Sequence, residues 1–374
     1  MKVGFYGHVR QYENIKDEID ANMNEVIMSG KFVQGPTLAK FEEQAKEYFG
    51  SEYAIGVGNG TDALWLSLMA LGVGPGDEVI THANTFFATA EAAWIVGAKV
   101  VLVDCDPKTK NIDPVKVEAA VTEKTKCIMP VHLYGQCADM PAIKEIADRH
   151  NLFVIEDNAQ GIDGNGDTFK QGELSDTVCT SYIIQKNLGC FGDGGMVFTN
   201  RADVNDKIRK LRNHGSAKRD HHSFGFNSRL DDIQAGVLSA KMKHITEWTD
   251  QRIGWAKQYN EAFKDVQAIE LPYAVPGYRH VYHLYVVETK DPAKRDEMLQ
   301  FLQDNGVDAK THYSIAIHNQ EGFPWGKECE IRGDLTNAEK NAASCVSLPM
   351  FPELTQEEVD YVIEKVLEWD QANR

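Results

Sequence analysis

Lys186 stands at the head of a glycine-crowded run, KNLGCFGDGG, five residues after Ser181 at the end of the apolar stretch TVCTSY. Three readings of such a lysine compete: a charge that grips a phosphate, a solvated surface residue, or a nucleophile. A Walker lysine follows its glycines and opens a helix, whereas this one precedes them, which weakens the phosphate reading. At the mouth of a glycine-rich loop an amine is open to desolvation, which lowers its pKa and makes it nucleophilic toward a carbonyl.

Two further stretches carry chemistry. LFVIEDNAQGIDG, residues 152–164, ends an apolar run on Glu156 and Asp157 and sets Gln160 one helical turn later. A carboxylate there caps a helix, or keeps a buried cationic ring nitrogen protonated by a charge-assisted hydrogen bond. GNGTDALWLSL, residues 58–68, joins a glycine turn to a helix start, offering backbone N–H groups, the Thr61 hydroxyl and the helix dipole to an anion. A plain turn with Thr61 as N-cap is its rival. An anion cradle, a carboxylate for a ring nitrogen and an amine for a carbonyl are together what pyridoxal 5′-phosphate requires.

These loops need a scaffold that brings strand ends together. From residue 53 the apolar runs YAIGV, EVIT, KVVLVD, KCIMPV, LFVIE, TVCTSY and GMVFT recur, most separated by stretches with helical spacing. Several are apolar throughout, as in strands covered on both faces, so the pattern predicts a mostly parallel, doubly wound α/β sheet of seven strands. In such sheets ligands gather outside the carboxyl ends of the strands, where all three motifs fall. Residues 13–28 place Ile15, Ile19, Met23, Val26 and Ile27 on one helical face. The stretch from Arg229 to Phe263 is too long for one ordinary helix and reads as a pair or a bent helix. Strands with a helix between them, ending in a helix from Thr355 to about Trp369, follow it, so a large domain over 1–250 and a smaller α+β domain over 251–374 are expected.

Composition bounds the function. Thirty-nine basic against fifty-six acidic residues leave a formal net charge of −17, which opposes binding to nucleic acid or an anionic membrane. The opening residues resemble neither a signal nor a transit peptide, and no apolar run reaches the ~20 residues of a membrane span, so a cytoplasmic location is expected. Seven cysteines without a C-x-x-C pair fit reduced, buried thiols. No carboxylate pattern supports a metal site at His280, His283, His312 or His318.

With these motifs in order, the chain closely resembles the DegT/DnrJ/EryC1/StrS sugar aminotransferases. The likeness runs nearly end to end through RQYENIKDEID, FVQGPTLAKFE, VGNGTDAL, GPGDEVITHANTFFATAEA, VHLYGQCADM, IEDNAQG, KNLGCFGDGG and RNHGSAKRDHHSFGFNSRLDDIQAGVL. It implies a fold-type I pyridoxal-phosphate-dependent transferase, dimeric, with active sites shared between subunits. Lys186 matches the lysine that binds the cofactor covalently, and Asp157 the carboxylate facing the pyridine nitrogen. Gln160 matches the residue beside the ring hydroxyl, and Phe86 the aromatic stacked on the ring, with Phe87 close enough to exchange with it. Gly60, Thr61, Asp62 and Ser181 match the phosphate cradle, to which the neighbouring subunit adds Asn227.

The resemblance further implies an amino donor, L-glutamate, and an acceptor keto sugar, most like a nucleotide-linked 3-keto deoxysugar in amino-sugar biosynthesis. Lys218, Arg219, Arg229, His312, Tyr313 and His318 fall in segments that would reach this substrate. Three departures mark the chain. Asn158 stands where relatives carry a small residue, Gly161 and Ile162 where they carry His-Gly, and SYIIQK where they carry SFYPxK. Relatives that act as dehydratases replace the lysine with histidine. That reading, and one of a non-catalytic regulator that binds the cofactor or a sugar, are the alternatives.

Overall fold

The computed structural model describes residues 1–217, 219–326 and 328–373. Eleven strands are found among them: β1 Tyr53–Val57, β2 Glu78–His82, β3 Lys99–Val103, β4 Thr125–Ile128, β5 Phe153–Asp157, β6 Thr177–Ser181, β7 Gly195–Thr199, β8 Ile269–Glu270, β9 Tyr285–Thr289, β10 Cys329–Ile331 and β11 Cys345–Leu348. The seven apolar runs become β1 to β7. The large sheet has eight strands rather than seven, in the order β1-β7-β6-β5-β4-β2-β3-β10. All neighbours are parallel except β7, which is antiparallel to both β1 and β6.

The eighth strand, β10, has no apolar run to announce it. It pairs with β3, and Arg332 just beyond it holds Glu78 of β2 through two bonds of 2.8 and 2.7 Å. Tertiary ion pairing, not local pattern, fixes this edge.

Both faces of the sheet are covered, which explains why its strands are apolar throughout. Helices Gly60–Leu71, Phe87–Ile95 and Ala202–Leu211 pack with Val57, Val79, Val100, Ile155 and Val197 on one face. On the other, helices Pro36–Phe49 and Asp232–Lys241 bury Leu38, Phe41 and Leu238, and Met140–His150 buries Ile143 and Ile146.

The N-terminal helical pattern breaks at Ile15 into His8–Asn14 and Lys16–Ser29. Ile15 and Ile19 are buried with Val237, Ala240 and Trp248, Met23 packs against them and Val26 is also buried, but Ile27 is 53% exposed, off the expected face. The long segment from residue 229 is bent: Asp232–Lys241 and Ile245–Phe263 are joined by the single turn Met242–His244. The second helix then packs with the antiparallel sheet β11-β9-β8 and with helices Arg295–Asp304 and Gln356–Asn373 around a second core that includes Tyr259, Tyr285, Leu302 and Val362. Two segments cross between the cores: Val3 bridges to Val307, and β10 joins the large sheet. All seven cysteines are buried and unbridged. Among the described residues no helix is long and apolar enough to cross a membrane.

Candidate active site

The carboxyl ends of β1, β2, β5 and β6 open on one edge of the sheet, and the three motifs follow them. Asp157 is the last residue of β5 and is 4% exposed. Its Oδ2 accepts from the Thr89 hydroxyl at 2.8 Å, and its Oδ1 from the Ala159 N–H at 3.1 Å. Burial nonetheless raises the Asp157 pKa, with those two donors and the charge of Lys186 pulling the other way. A desolvated carboxylate with spare acceptor capacity is a site for a cation.

Lys186 sits half-buried beyond β6. Burial pushes its amine down to about 8, with Asp157 opposing. Among the described residues its Nζ has no hydrogen-bond partner, so it is free to react. The neighbouring imidazoles are neutral. Burial and the charge of Lys186 lower His312 to about 4, and burial drives His283 far below the usual histidine range. His283 Nδ1 lies 3.1 Å from Asn187 Oδ1, while the Asn187 amide donates to the Val281 carbonyl at 3.5 Å. The residue after the lysine is thus tied to segment 281–283.

The anion cradle forms at the start of helix Gly60–Leu71, where Asn59 rather than Thr61 is the N-cap, its Oδ1 accepting from the Asp62 N–H at 2.8 Å. The Asp62 carboxylate is spent on Trp65 Nε1 at 3.1 Å and on the Ser228 hydroxyl at 2.6 Å. Asp62 is therefore a strut of the cradle, and the N–H groups of Gly60 and Thr61 are its unpaired donors among the described residues. A Cβ at Gly60 would come within 2.7 Å of Ser181 Cβ, so only glycine lets this helix start meet the end of β6.

Gln160 is buried, its Oε1 accepting from the Tyr134 N–H at 2.7 Å and its Nε2 donating to the Tyr313 hydroxyl at 3.0 Å. Phe86 and Phe87 separate cleanly. Phe87 packs into the core against Phe323, whereas Phe86 is 55% exposed with its ring 5.8 Å from that of Tyr313. Phe86 is the ring left available to stack.

The other expected substrate residues are less tightly gathered. His318 is buried and bonded through Nε2 to Glu339 at 3.0 Å, a contact that ties two segments of the C-terminal third together. Arg229 is bonded to Asn213 at 3.0 Å. Arg219 and Asn227 are exposed on segment 213–227, and Lys218 lies outside the described residues. Among the described residues no group of three or more His, Cys, Asp or Glu side chains is placed to hold a metal ion.

Sequence reasoning missed Thr89, His283, Asn187 and Tyr134. Thr89 is one turn after Phe86, in the first turn of a helix that starts beside β5, and that spacing was its one signal. The Asn158 departure has a structural partner. A Cβ on Gly161 would fall 2.5 Å from Asn158 Oδ1 and 2.7 Å from His132 Cβ. The larger side chain at 158 is thus accommodated by the absence of one at 161. Gly161→Ala is expected to cost ~1–3 kcal/mol by overpacking. Asn158→Ala should recover part of that, the remainder being the His132 contact, in a double-mutant cycle of denaturant melts. Strict additivity would refute the coupling.

The fold and this site define a fold-type I pyridoxal-phosphate-dependent transferase. A family model, the DegT/DnrJ/EryC1/StrS aminotransferase family, matches residues 13–367, and the chain belongs to that family. It is 47% identical over 362 residues to a pleiotropic regulatory protein of Geobacillus stearothermophilus, covering 96% of each chain. It is 38% identical over 369 residues to the dTDP-3-amino-3,4,6-trideoxy-alpha-D-glucose transaminase of Streptomyces venezuelae, covering 98% of this chain and 96% of the other. A Bacillus subtilis protein solved with the cofactor PMP bound superposes with a TM-score of 0.90 at 33% identity, over 99% of this chain and 85% of that one.

Proposed function

We propose that the chain transfers an amino group from L-glutamate to a nucleotide-linked 3-keto sugar, as a homodimer with shared active sites. It is a pyridoxal-phosphate-dependent sugar aminotransferase of amino-sugar biosynthesis. The observation that carries the site assignment is the pairing, at adjacent strand ends, of a buried carboxylate with a lysine whose amine is pushed down to about 8.

The residues present fit the cofactor. Among the described residues the N–H groups of Gly60 and Thr61 are unpaired and open to a phosphate, Ser181 lies against Gly60, and Asp157 has room for a cationic N–H. When bound, the cofactor supplies an aldehyde that accepts an amine and a pyridinium ring that holds an electron pair. With the cofactor in place, Lys186 Nζ would be its covalent anchor and then the base that takes the α-proton of the amino donor. In the second half-reaction it returns a proton to the sugar carbon that receives the nitrogen. A pKa near 8 leaves both protonation states populated near neutral pH, as a group that must take and give a proton needs. Asp157, held in orientation by Thr89, would keep the ring nitrogen protonated; Phe86 would supply the ring to stack on it, and Gln160 would serve its hydroxyl. Asn227 of a second copy completes the phosphate site.

Because a relative 47% identical is described as a regulatory protein, a non-catalytic role is the second reading. One experiment separates them: purified protein, glutamate and a panel of nucleotide-linked 3-keto sugars. The enzyme reading expects one 2-oxoglutarate per aminated sugar, with ping-pong kinetics. If no keto sugar discharges the aminated cofactor, the regulatory reading takes its place.

A further inference from the structure

We infer that Tyr134, through its hydroxyl and its backbone N–H together, is a positioning residue that sets Gln160 and the His312–Tyr313 segment at fixed separation. The inference rests on the proposed reading of Gln160 and Tyr313 as walls of the reaction site.

Tyr134 is 6% exposed and lies in the turn Leu133–Gly135 after β4. Its φ is 59°, a left-handed conformation that a bulky side chain keeps only when its surroundings over-determine it. They do so here from four directions. The N–H donates to Gln160 Oε1 at 2.7 Å, and the hydroxyl donates to the His312 carbonyl. Asn341 Nδ2 donates into that hydroxyl at 2.9 Å, so the hydroxyl proton is directed at His312. The Tyr134 carbonyl accepts from the Leu284 N–H at 3.3 Å, and the adjacent Gly135 carbonyl from the Val281 N–H at 2.8 Å.

The connections close a ring. Gln160 reaches Tyr313 directly through its Nε2, and Tyr134 reaches the carbonyl of the preceding residue, so Gln160, Tyr134 and the 312–313 segment form one cycle of hydrogen bonds. Asn341 also donates to Asn84 Oδ1 at 2.8 Å, which ties the cycle to the loop after β2 that carries Phe86. The 281–284 segment carries it on to Asn187, next to Lys186. One residue thus links groups from three loops and a helix, and chained donors of this kind strengthen one another. The left-handed backbone is what lets one residue aim its N–H at Gln160 while its side chain reaches His312.

The test uses the full chain and two substitutions, Tyr134→Phe and Asn341→Leu, singly and together. Tyr134→Phe keeps the ring and the N–H to Gln160 but loses the bond to His312. In the cofactor-free protein, amide hydrogen exchange of the peptide spanning 309–317 should quicken at least tenfold while that of β4 and β5 stays unchanged. In the loaded enzyme, kcat with the keto sugar should fall about tenfold with cofactor stoichiometry intact. Asn341→Leu should give a smaller change at 309–317 in the same direction, and the double variant should fall well short of the sum of the two there, because both reach His312 through one hydroxyl; the separate bond from Asn341 to Asn84 should show instead in exchange of the loop after β2. Unchanged exchange at 309–317, or exchange that rises equally in β4 and β5, overturns the inference, as does additivity in the double variant. Should the wild-type protein aminate no keto sugar, the functional reading fails while the exchange arm still decides the role of Tyr134.

Discussion

Lys186→Ala is expected to stop amino transfer, with kcat reduced by at least ~10⁴-fold, because one side chain does two jobs that no other residue can take over. Loss of a general base alone removes about 10²–10⁴-fold, and here the covalent anchor goes with it. Among the described residues the other lysine pushed down to about 8 is Lys241, also by burial, but its Nζ is committed to the Gly189 carbonyl at 2.7 Å. It cannot swing into the vacated position without leaving an orphaned carbonyl and a displaced loop. The cradle at Gly60 and Thr61 and the carboxylate of Asp157 remain in the variant, so the cofactor should still bind, non-covalently. Borohydride reduction followed by mass measurement separates the cases: cofactor mass fixed on the wild-type chain and absent from the variant. A variant that turns over normally would remove Lys186 from the mechanism.

The parts of this site that were legible in the sequence are those that chemistry ties to a strand end. Asp157, Ser181 and the Gly60 turn each follow an apolar run, and once the sheet is parallel their convergence is forced. Lys186 was legible as a type of residue in a type of loop, although its depressed pKa depends on burial that only the fold supplies. What was not legible is whatever two distant segments decide together. Thr61 looked like an N-cap, but Asn59 holds that place and Asp62 is drawn away to Trp65 and Ser228. β10 is a strand because Arg332 finds Glu78 across 254 residues, and a three-residue run flanked by charges carries no strand signal of its own. Tyr134 shows the same limit: nothing in VHLYGQ indicates a left-handed tyrosine, since its conformation is set by partners at 160, 284, 312 and 341.

Asp157→Asn should cost about 10²–10⁴-fold in kcat, and it should do so while making the cofactor-free protein more stable near neutral pH. The two halves have one cause. Burial penalises the carboxylate by more than its two donors and the charges of Lys186 and His132 offset, and its pKa is raised above the ordinary 3.8. Between 3.8 and that raised value the unfolded chain has lost its proton while the folded chain keeps it, so stability falls as pH rises through this window. Above it the full penalty of the buried charge is present. Asparagine is close to the same shape: its Oδ1 can accept from the Ala159 N–H while its Nδ2 donates to the Thr89 hydroxyl, which can turn its proton to Thr85, and it carries no charge to desolvate. The melting temperature of the cofactor-free variant should therefore exceed that of the wild type at pH 7, and the difference should close on acidification. In the loaded enzyme the neutral amide no longer favours a protonated ring nitrogen, so the electron pair released at the α-carbon has a poorer acceptor. Melting curves at several pH values on the cofactor-free pair, alongside single-turnover rates with glutamate, check both halves. A kcat within twofold of wild type would take Asp157 out of the chemistry. A stability difference that does not vary with pH would show that the charge is compensated within the protein, in which case the cation it awaits is Lys186 itself and not a ring nitrogen.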